Sequence, residues 1–555
     1  MEKIWLKSYP PGVPAEIDVN ELNSLVEVVD MACRQFADKV AFISFGRELT
    51  YREFDARTRE FAGWLQAQGF APGTRVALMM PNLLQYPIAL FGILRAGCVV
   101  VNCNPLYTPR ELEYQLQDSG AEAIVVLENF AHTLEHVISA TRIRRVVVTS
   151  MGEMVGGAKG WLINFVVRHV KRLVPAWSLP ASLDFHTALG EGRRHGLTPV
   201  DLCREDMAFL QYTGGTTGIS KGAVLSHGNV CANVLQAHAW LRGDVRVGEE
   251  LIVTALPLYH IFALTANCLS FLLFGAKNLL IANPRDIPGY IKELSKYPFT
   301  IMTGVNTLFN ALLNHPNFAK LDFSTLHLTM GGGMSVQNDV ALRWKALTGV
   351  PMLQAYGLTE SSPALIIDPL TLPDFNGALG LPMSSTEISI RNDEGRELGI
   401  GEIGEICARG PQVMCGYWQR PDETALVMSD DGFLRTGDIG YIDADGYVYF
   451  VDRKKDTIMV SGFNVYPNEI EEILHQHPGI REAAAIGVAD EKSGEAVKAF
   501  VVRRDPELSV EEVIHHCRLH LTGYKVPRQV EFRDSLPHTS VGKVLRRALR
   551  VAATS

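Results

Sequence analysis

Eleven consecutive residues, Tyr212-Thr213-Gly214-Gly215-Thr216-Thr217-Gly218-Ile219-Ser220-Lys221-Gly222, hold four glycines, three threonines, a serine and a lysine. Glycine lets a backbone approach a ligand closely and take dihedrals that other residues avoid. Successive N–H groups in such a turn form an anion-binding concavity. The hydroxyls add donors and Lys221 adds a point charge, a set suited to a polyphosphate. Each hydrogen bond to a charged group is worth roughly 1.5–3 kcal/mol, so a few could hold a nucleoside triphosphate. The commonest phosphate loop, G-x-x-x-x-G-K-[ST], is absent, because Lys221 follows Ser220 and precedes Gly222. Residues 207–212 and 223–225 both read as strands, so the loop joins two strands rather than opening a helix. The next helix starts at Ser226, a good N-cap, and runs over 229–241.

Four further constellations carry reactive groups. Gly331-Gly332-Gly333-Met334-Ser335 lets a flat ligand reach the backbone. Tyr356-Gly357-Leu358-Thr359-Glu360 offers a ring, a hydroxyl and a carboxylate. Leu434-Arg435-Thr436-Gly437-Asp438 sets a carboxylate after a glycine turn, and Pro537-His538-Thr539-Ser540-Val541-Gly542-Lys543 sets a lysine after a loop. Alone, each has an ordinary reading: a turn cap for Asp438, a solvated acid for Glu360, a surface charge for Lys543.

The elements that must position these groups are those of an α/β protein. Short apolar runs at 75–80, 98–102 and 123–127 alternate with helices at 84–96 and from Thr108, where Thr108-Pro109-Arg110-Glu111 is a capping box with proline at the first helical position. Such alternation implies parallel sheets covered on both faces. A second alternation spans about 251–356. From 387 to 450 short strands and Gly/Asp turns indicate a small β-rich subdomain. The charged block Asp452-Arg453-Lys454-Lys455-Asp456 reads as a linker. Residues 1–451 therefore form a large N-terminal domain and 452–555 a small α+β domain.

Bulk properties exclude several classes. A chain of 555 residues exceeds one core. A net charge of −9 without a long basic run argues against nucleic acid, which needs a basic footprint. Nine scattered cysteines without C-x-x-C suit free thiols in a reducing, cytoplasmic compartment. The first residues lack the apolar core of a signal peptide. Residues 76–94 and 251–276 are uncharged, yet their prolines and polar residues mark them as buried core rather than membrane spans. Residues 161–174 form a basic amphipathic helix: Leu162, Ile163, Val166, Val167, Val170, Leu173 and Val174 share one side, with Asn164, Arg168, Lys171 and Arg172 on the other. That pattern fits either an anionic membrane surface or ordinary packing on its own domain.

In order and company, the five motifs resemble those of the adenylate-forming enzymes of the fatty acyl-CoA synthetase type, and the resemblance runs end to end. Residues 210–221 match the family's AMP-binding signature, 356–360 its second nucleotide motif, and 431–456 the stretch characteristic of fatty acyl-CoA synthetases. Residues 78–87 and 104–113 are similar to the bacterial long-chain members. The resemblance implies two half-reactions: a fatty acid attacks the α-phosphate of ATP, giving acyl-AMP and pyrophosphate, and the thiol of coenzyme A then displaces AMP. It implies that 213–222 hold the β- and γ-phosphates, Glu360 binds Mg²⁺, Gly331, Gly332, Gly333, Tyr356 and Gly357 line the adenine, and Thr359 meets the α-phosphate. It assigns the ribose to Asp438 and Arg453, and the bridge between carboxylate and α-phosphate to Lys543. His260 falls at the aromatic gate of the acyl pocket, Ser461-Gly462-Phe463 on the pantetheine path, and Asp452 at the hinge. Gly215 and Ser220 replace the commoner serine and proline, which loosens the loop. A carrier-protein acyl-AMP ligase and a non-catalytic fatty-acid-binding or uptake protein stay open as alternatives, as do a homodimer and peripheral contact with the inner face of the cell membrane.

Overall fold

A computed structural model describes residues 2–213, 220–461, 463–490, 493–539 and 544–554. The expected α/β architecture is present. One eight-stranded sheet runs 416–417, 221–226, 207–213, 99–102, 75–79, 123–127, 145–149 and 182–184. Its middle strands are parallel. Strands Val99–Asn102 and Ala123–Leu127 are buried at every position, as strands covered on both faces must be. Helix Gln85–Arg95 is likewise buried throughout, which accounts for the uncharged run at 76–94. No helix among the described residues is long and apolar enough to cross a membrane.

A second, nine-stranded sheet runs 381–382, 364–367, 352–357, 328–332, 301–304, 251–254, 277–280, 40–44 and 47–50. The two sheets are joined by polar groups that apolar packing leaves inside. Asn82 donates to the carbonyls of Thr254 (2.9 Å) and Leu256 (2.8 Å) and accepts from the Leu258 N–H (2.8 Å). The Tyr86 hydroxyl lies 2.9 Å from the Leu258 carbonyl. A buried amide with three partners pins the 255–260 turn to the first sheet, since leaving any of them unmet costs about 1–3 kcal/mol.

The β-rich part is a four-stranded antiparallel sheet of Glu387–Arg391, Gly404–Arg409, Leu434–Ile442 and Val448–Arg453. Asp452 and Arg453 close its last strand, and Lys454–Asp456 forms a 3₁₀ turn. The smaller C-terminal part packs helices Pro467–His475 and Val510–His520 on a five-stranded sheet.

One segment settles a choice that the sequence pattern left open. The segment at 157–170 is an α-helix, Gly157–Phe165, continued by a π turn, Val166–Val170. Two of its polar residues anchor it to the domain, while Lys171 and Arg172 stay exposed. Asn164 accepts from the Gly152 N–H (2.7 Å) and donates to Ser150 Oγ (2.9 Å), and Arg168 pairs with the buried Glu128 at 2.7 Å. Of the apolar set, Val167 is buried, while Leu162, Val170 and Leu173 are exposed. The cause is a glycine contact: a Cβ on Gly160 would sit 2.3 Å from the Gly152 carbonyl oxygen. The backbone therefore docks directly on the domain there, and that contact fixes the rotation of the helix.

Candidate active site

The strand–loop–strand expectation for 207–225 is met. Met207–Thr213 and Lys221–Ser226 are antiparallel, with Tyr212 opposite Gly222 and Thr213 opposite Lys221. Gly214, Gly215, Thr216, Thr217 and Gly218 lie outside the described residues. The next helix, His227–Leu241, starts with a capping box from Ser226 to Asn229. The two ends of the loop are fixed by one helix, Pro109–Ser119. Asp118 on that helix accepts from the Tyr212 hydroxyl at 2.7 Å and from Arg420 at 2.9 Å. The Tyr114 hydroxyl donates to the Ser220 carbonyl at 2.9 Å. Sequence reasoning missed this clamp, because its members lie some 100 and 300 residues apart in the chain.

The strand ends that flank the loop border a cavity of about 1020 Å³, at the upper end of the roughly 300–1,000 Å³ usual for ligand sites. Tyr212, Thr213, Lys221, His260, Gly333, Tyr356, Gly357, Thr359, Glu360, Asp438 and Arg453 all line it. Residues from at least five separate segments are thus brought to one cavity. Leu241, Phe271, Ile301 and Leu328 line the same cavity and belong to one buried apolar cluster, so polar mouth and apolar interior are continuous.

Asp438 is held from both sides. The Tyr356 hydroxyl donates to its Oδ2 at 2.8 Å, and Arg453 Nε, its cross-strand neighbour, lies 3.5 Å from Oδ1. Glu405 sets the preceding turn by accepting from the Gly437 N–H at 3.1 Å, and Arg435 and Lys454 in turn neutralise Glu405. Gly437 has φ +72°, a conformation that side chains with a Cβ avoid. Burial, then the Asp438 charge, drives the Tyr356 hydroxyl well above its ordinary range, so it stays a donor.

Glu360 Oε1 accepts from the Tyr417 hydroxyl at 2.7 Å. Lys221 forms an ion pair with Glu423 and lies 5.2 Å from the Tyr417 ring centroid. His260 is neutral at physiological pH, because burial lowers it to about 4. The turn that carries it is fixed by Gln211, which donates to the Tyr259 carbonyl at 2.8 Å. Gly331 and Gly332 belong to a strand and, unlike Gly333, are not among the residues lining the cavity; a Cβ on Gly332 would lie 2.9 Å from the Phe262 ring, so close packing needs a glycine there.

These features carry the comparisons with known proteins. Residues 29–418 match the model of the AMP-binding enzymes and residues 469–543 that of the AMP-binding enzyme C-terminal domain. The chain is 58% identical over 551 residues to the long-chain-fatty-acid–CoA ligase of Yersinia pestis and 57% identical over 551 residues to that of Salmonella typhimurium, covering 99% of this chain and 98% of each relative. The chain belongs to the AMP-binding enzyme family. Among solved structures, an anthranilate CoA ligase in complex with anthranoyl-AMP superposes with a TM-score of 0.84 at 26% identity, over 97% of this chain and 99% of that one.

For an AMP-binding enzyme, the remaining expected residues fall as follows. Asp452 is fully buried and accepts from the N–H groups of Arg453 and Asn468, both at 2.7 Å, with Arg546 at 3.2 Å. Burial raises its carboxyl to about 6, against the lowering pull of Arg546. Phe463 is exposed and stacks on Tyr524 with centroids 4.8 Å apart. Ser461, Phe463 and Asp452 are not among the residues lining the cavity, and neither are Ser220 and Gly222. Gly462 and Lys543 lie outside the described residues. Thr539, four positions before Lys543, does line the cavity. Lys455 lines it too, and burial, then the Arg453 charge, lowers its ammonium. Tyr417 and Glu423 gave no signal in the sequence, since each is an unremarkable residue until the fold sets it beside Lys221, and Lys455 was legible only as part of a charged block.

Proposed function

We propose that this AMP-binding enzyme activates long-chain fatty acids to acyl-CoA through an acyl-adenylate, releasing pyrophosphate and then AMP. The supporting observation is the single cavity that runs from nucleotide-facing polar groups to an apolar interior, in a chain so similar to long-chain-fatty-acid–CoA ligases. A carboxylate is a poor acylating agent, and a mixed anhydride with phosphate supplies the leaving group that thioester formation needs.

In this reading the loop and Lys221 hold the β- and γ-phosphates. Lys221 exchanges Glu423 for phosphate oxygens. Tyr356 lies against the adenine, its ring fixed by the bond to Asp438. Asp438 accepts from the ribose hydroxyls, with Arg453 in support. Thr359 donates to the α-phosphate. Lys543 brings carboxylate and α-phosphate together, two anions that otherwise repel. Neutral His260 borders the acyl entrance without adding a charge there. Glu360 fits Mg²⁺: it is a hard oxygen donor oriented by Tyr417, and among the described residues no group of three or more metal-ligating side chains forms a cage. Mg²⁺ is characteristically bound by one or two carboxylates plus substrate phosphates. When bound it neutralises phosphate charge.

Residues 461–463 form the path for the pantetheine arm, and Asp452 is the pivot about which the C-terminal part turns between half-reactions. A peripheral position on the inner face of the membrane suits a substrate that partitions into lipid. The test is pyrophosphate and AMP release by purified protein with ATP, Mg²⁺ and fatty acids from short to long, with either coenzyme A or an acyl carrier protein as acceptor. Thioester formation on coenzyme A that rises with chain length is expected. Release with carrier protein alone, or none with any fatty acid, would overturn the reading.

A further inference from the structure

The helix and π turn at 157–170 present to solvent what an ordinary surface helix would bury. Trp161, Leu162, Phe165, Val170 and Leu173 are exposed, Trp161 and Val170 each at 66%. They account for five of the sixteen exposed large apolar side chains among the described residues, within thirteen positions of chain. Scattered exposed apolar residues need no explanation, but a contiguous set marks a contact surface. The rings are ordered along the outer face. Trp161 stacks on Phe165 with centroids 5.4 Å apart, and Phe165 lies 5.1 Å from the His169 ring.

The segment does not dangle. The Gly160–Gly152 contact, Asn164 and Arg168 tie it down from inside, and Asn129 donates to the Leu173 carbonyl at 3.0 Å. The outward apolar face is therefore a set property of the fold.

Charge identifies the occupant. Residues 154–183 contain no Asp or Glu but carry Lys159, Arg168, Lys171 and Arg172, in a chain whose net charge is −9. Lys171 and Arg172 are exposed on the same segment as the rings, and Lys159, also exposed, points to Gly46. A chain this acidic is repelled by an anionic surface except where its charge reverses locally, and here it reverses around an aromatic and aliphatic face. Tryptophan at a rim with lysine and arginine is the composition that settles at the boundary of headgroups and acyl chains.

We propose that the 157–174 face docks on an anionic lipid bilayer, with Trp161, Leu162 and Phe165 entering the interface and Lys171 and Arg172 against lipid phosphates. The proposal deepens the fatty-acid reading above and rests on it for its purpose: docking places the enzyme where its substrate is dissolved.

The experiment is sedimentation of the full chain with vesicles of phosphatidylcholine alone or mixed with phosphatidylglycerol, for wild type, Trp161→Ser/Phe165→Ser and Lys171→Glu/Arg172→Glu. The wild type should bind the mixed vesicles preferentially. The charge variant should bind them at least about 30-fold more weakly, from roughly fivefold per cation. The ring variant should lose roughly tenfold or more on both vesicle types. Both variants should keep wild-type melting temperature and wild-type pyrophosphate release on detergent-dispersed fatty acid, since neither pair lines the cavity. Equal binding by all three proteins would overturn the proposal. So would a concentration-dependent dimer, seen by sedimentation velocity and lost in the ring variant, without vesicle binding by the wild type. Absent pyrophosphate release from the wild type would instead overturn the ligase reading, and vesicle binding would still be read independently.

Discussion

Asp438→Asn isolates what a carboxylate contributes at the proposed ribose site. A carboxylate offers about four lone-pair directions. Here one is taken by the Tyr356 hydroxyl, and Arg453 faces the other oxygen at 3.5 Å. Two directions remain, the number needed for two vicinal hydroxyl donors. Asparagine keeps the shape and one acceptor oxygen but puts an amino group where the second acceptor stood. With Tyr356 still bound, at most one hydroxyl can donate to it, and to a neutral oxygen. The loss is one charge-assisted hydrogen bond, about 1.5–3 kcal/mol, or roughly 10–150-fold in kcat/KM for ATP. The Asp438 side chain is only 6% exposed, so solvent screening should not erase the effect. Stability should change little, because Arg453 is 35% exposed and its ion pair is long, the regime worth about 0–1 kcal/mol.

The assay is pyrophosphate release at saturating fatty acid with ATP and with 2′-deoxy-ATP. The wild type should prefer ATP, and Asp438→Asn should lose most of that preference while its melting temperature moves by no more than about 2–4 °C. An unchanged KM for ATP, or a variant that keeps the full preference for the ribose 2′-hydroxyl, would refute the assignment.

Other expectations follow from the proposed roles and from the packing around them. Lys543→Ala should slow acyl-AMP formation by about 10²–10³-fold, the scale of one lost transition-state donor, yet spare thioester formation from supplied acyl-AMP; equal loss of both steps in single-turnover assays would count against it. Asp118→Asn removes the charge that clamps Tyr212 and Arg420, and should raise the KM for ATP by roughly tenfold with little change in kcat, a split that steady-state kinetics resolves. His227 is buried with its Nδ1 accepting from the Leu25 N–H at 3.1 Å, and burial lowers it from 6.5 to about 4. The unfolded chain therefore binds the extra proton between those values, so stability is fully present above pH 6.5 and falls toward pH 4. The contribution is on the order of 3 kcal/mol, and thermal melts of His227→Gln should show a flatter acid limb than wild type.

Legibility in the sequence followed the range of the interactions. Strands such as Ala123–Leu127 and caps such as Thr108 and Ser226 were readable because burial on two faces and local capping leave periodic or short-range marks. The antiparallel pair around the glycine loop was readable for the same reason. The Asp118–Tyr212–Arg420 clamp, the Glu360–Tyr417 bond and the Lys221–Glu423 pair were not. Each joins residues whose types are common and whose partners lie far along the chain. Which side of the helix at 157–170 meets solvent was left open between a lipid-facing and a packed reading, because periodicity ranks residues by hydropathy alone, and a glycine–glycine contact decided the rotation.

The order and spacing of its motifs, through the family they resemble, pointed on their own to an AMP-binding enzyme with a large α/β domain and a smaller C-terminal one, because such chemistry needs particular residue types at fixed local separations. Tertiary structure decided that Thr213, Lys221, Asp438, Glu360 and the apolar interior share one cavity, and which side of the 157–170 helix meets solvent. Those outcomes depend on close packing between distant segments, where a few ångströms of backbone approach outweigh the preference of any single side chain.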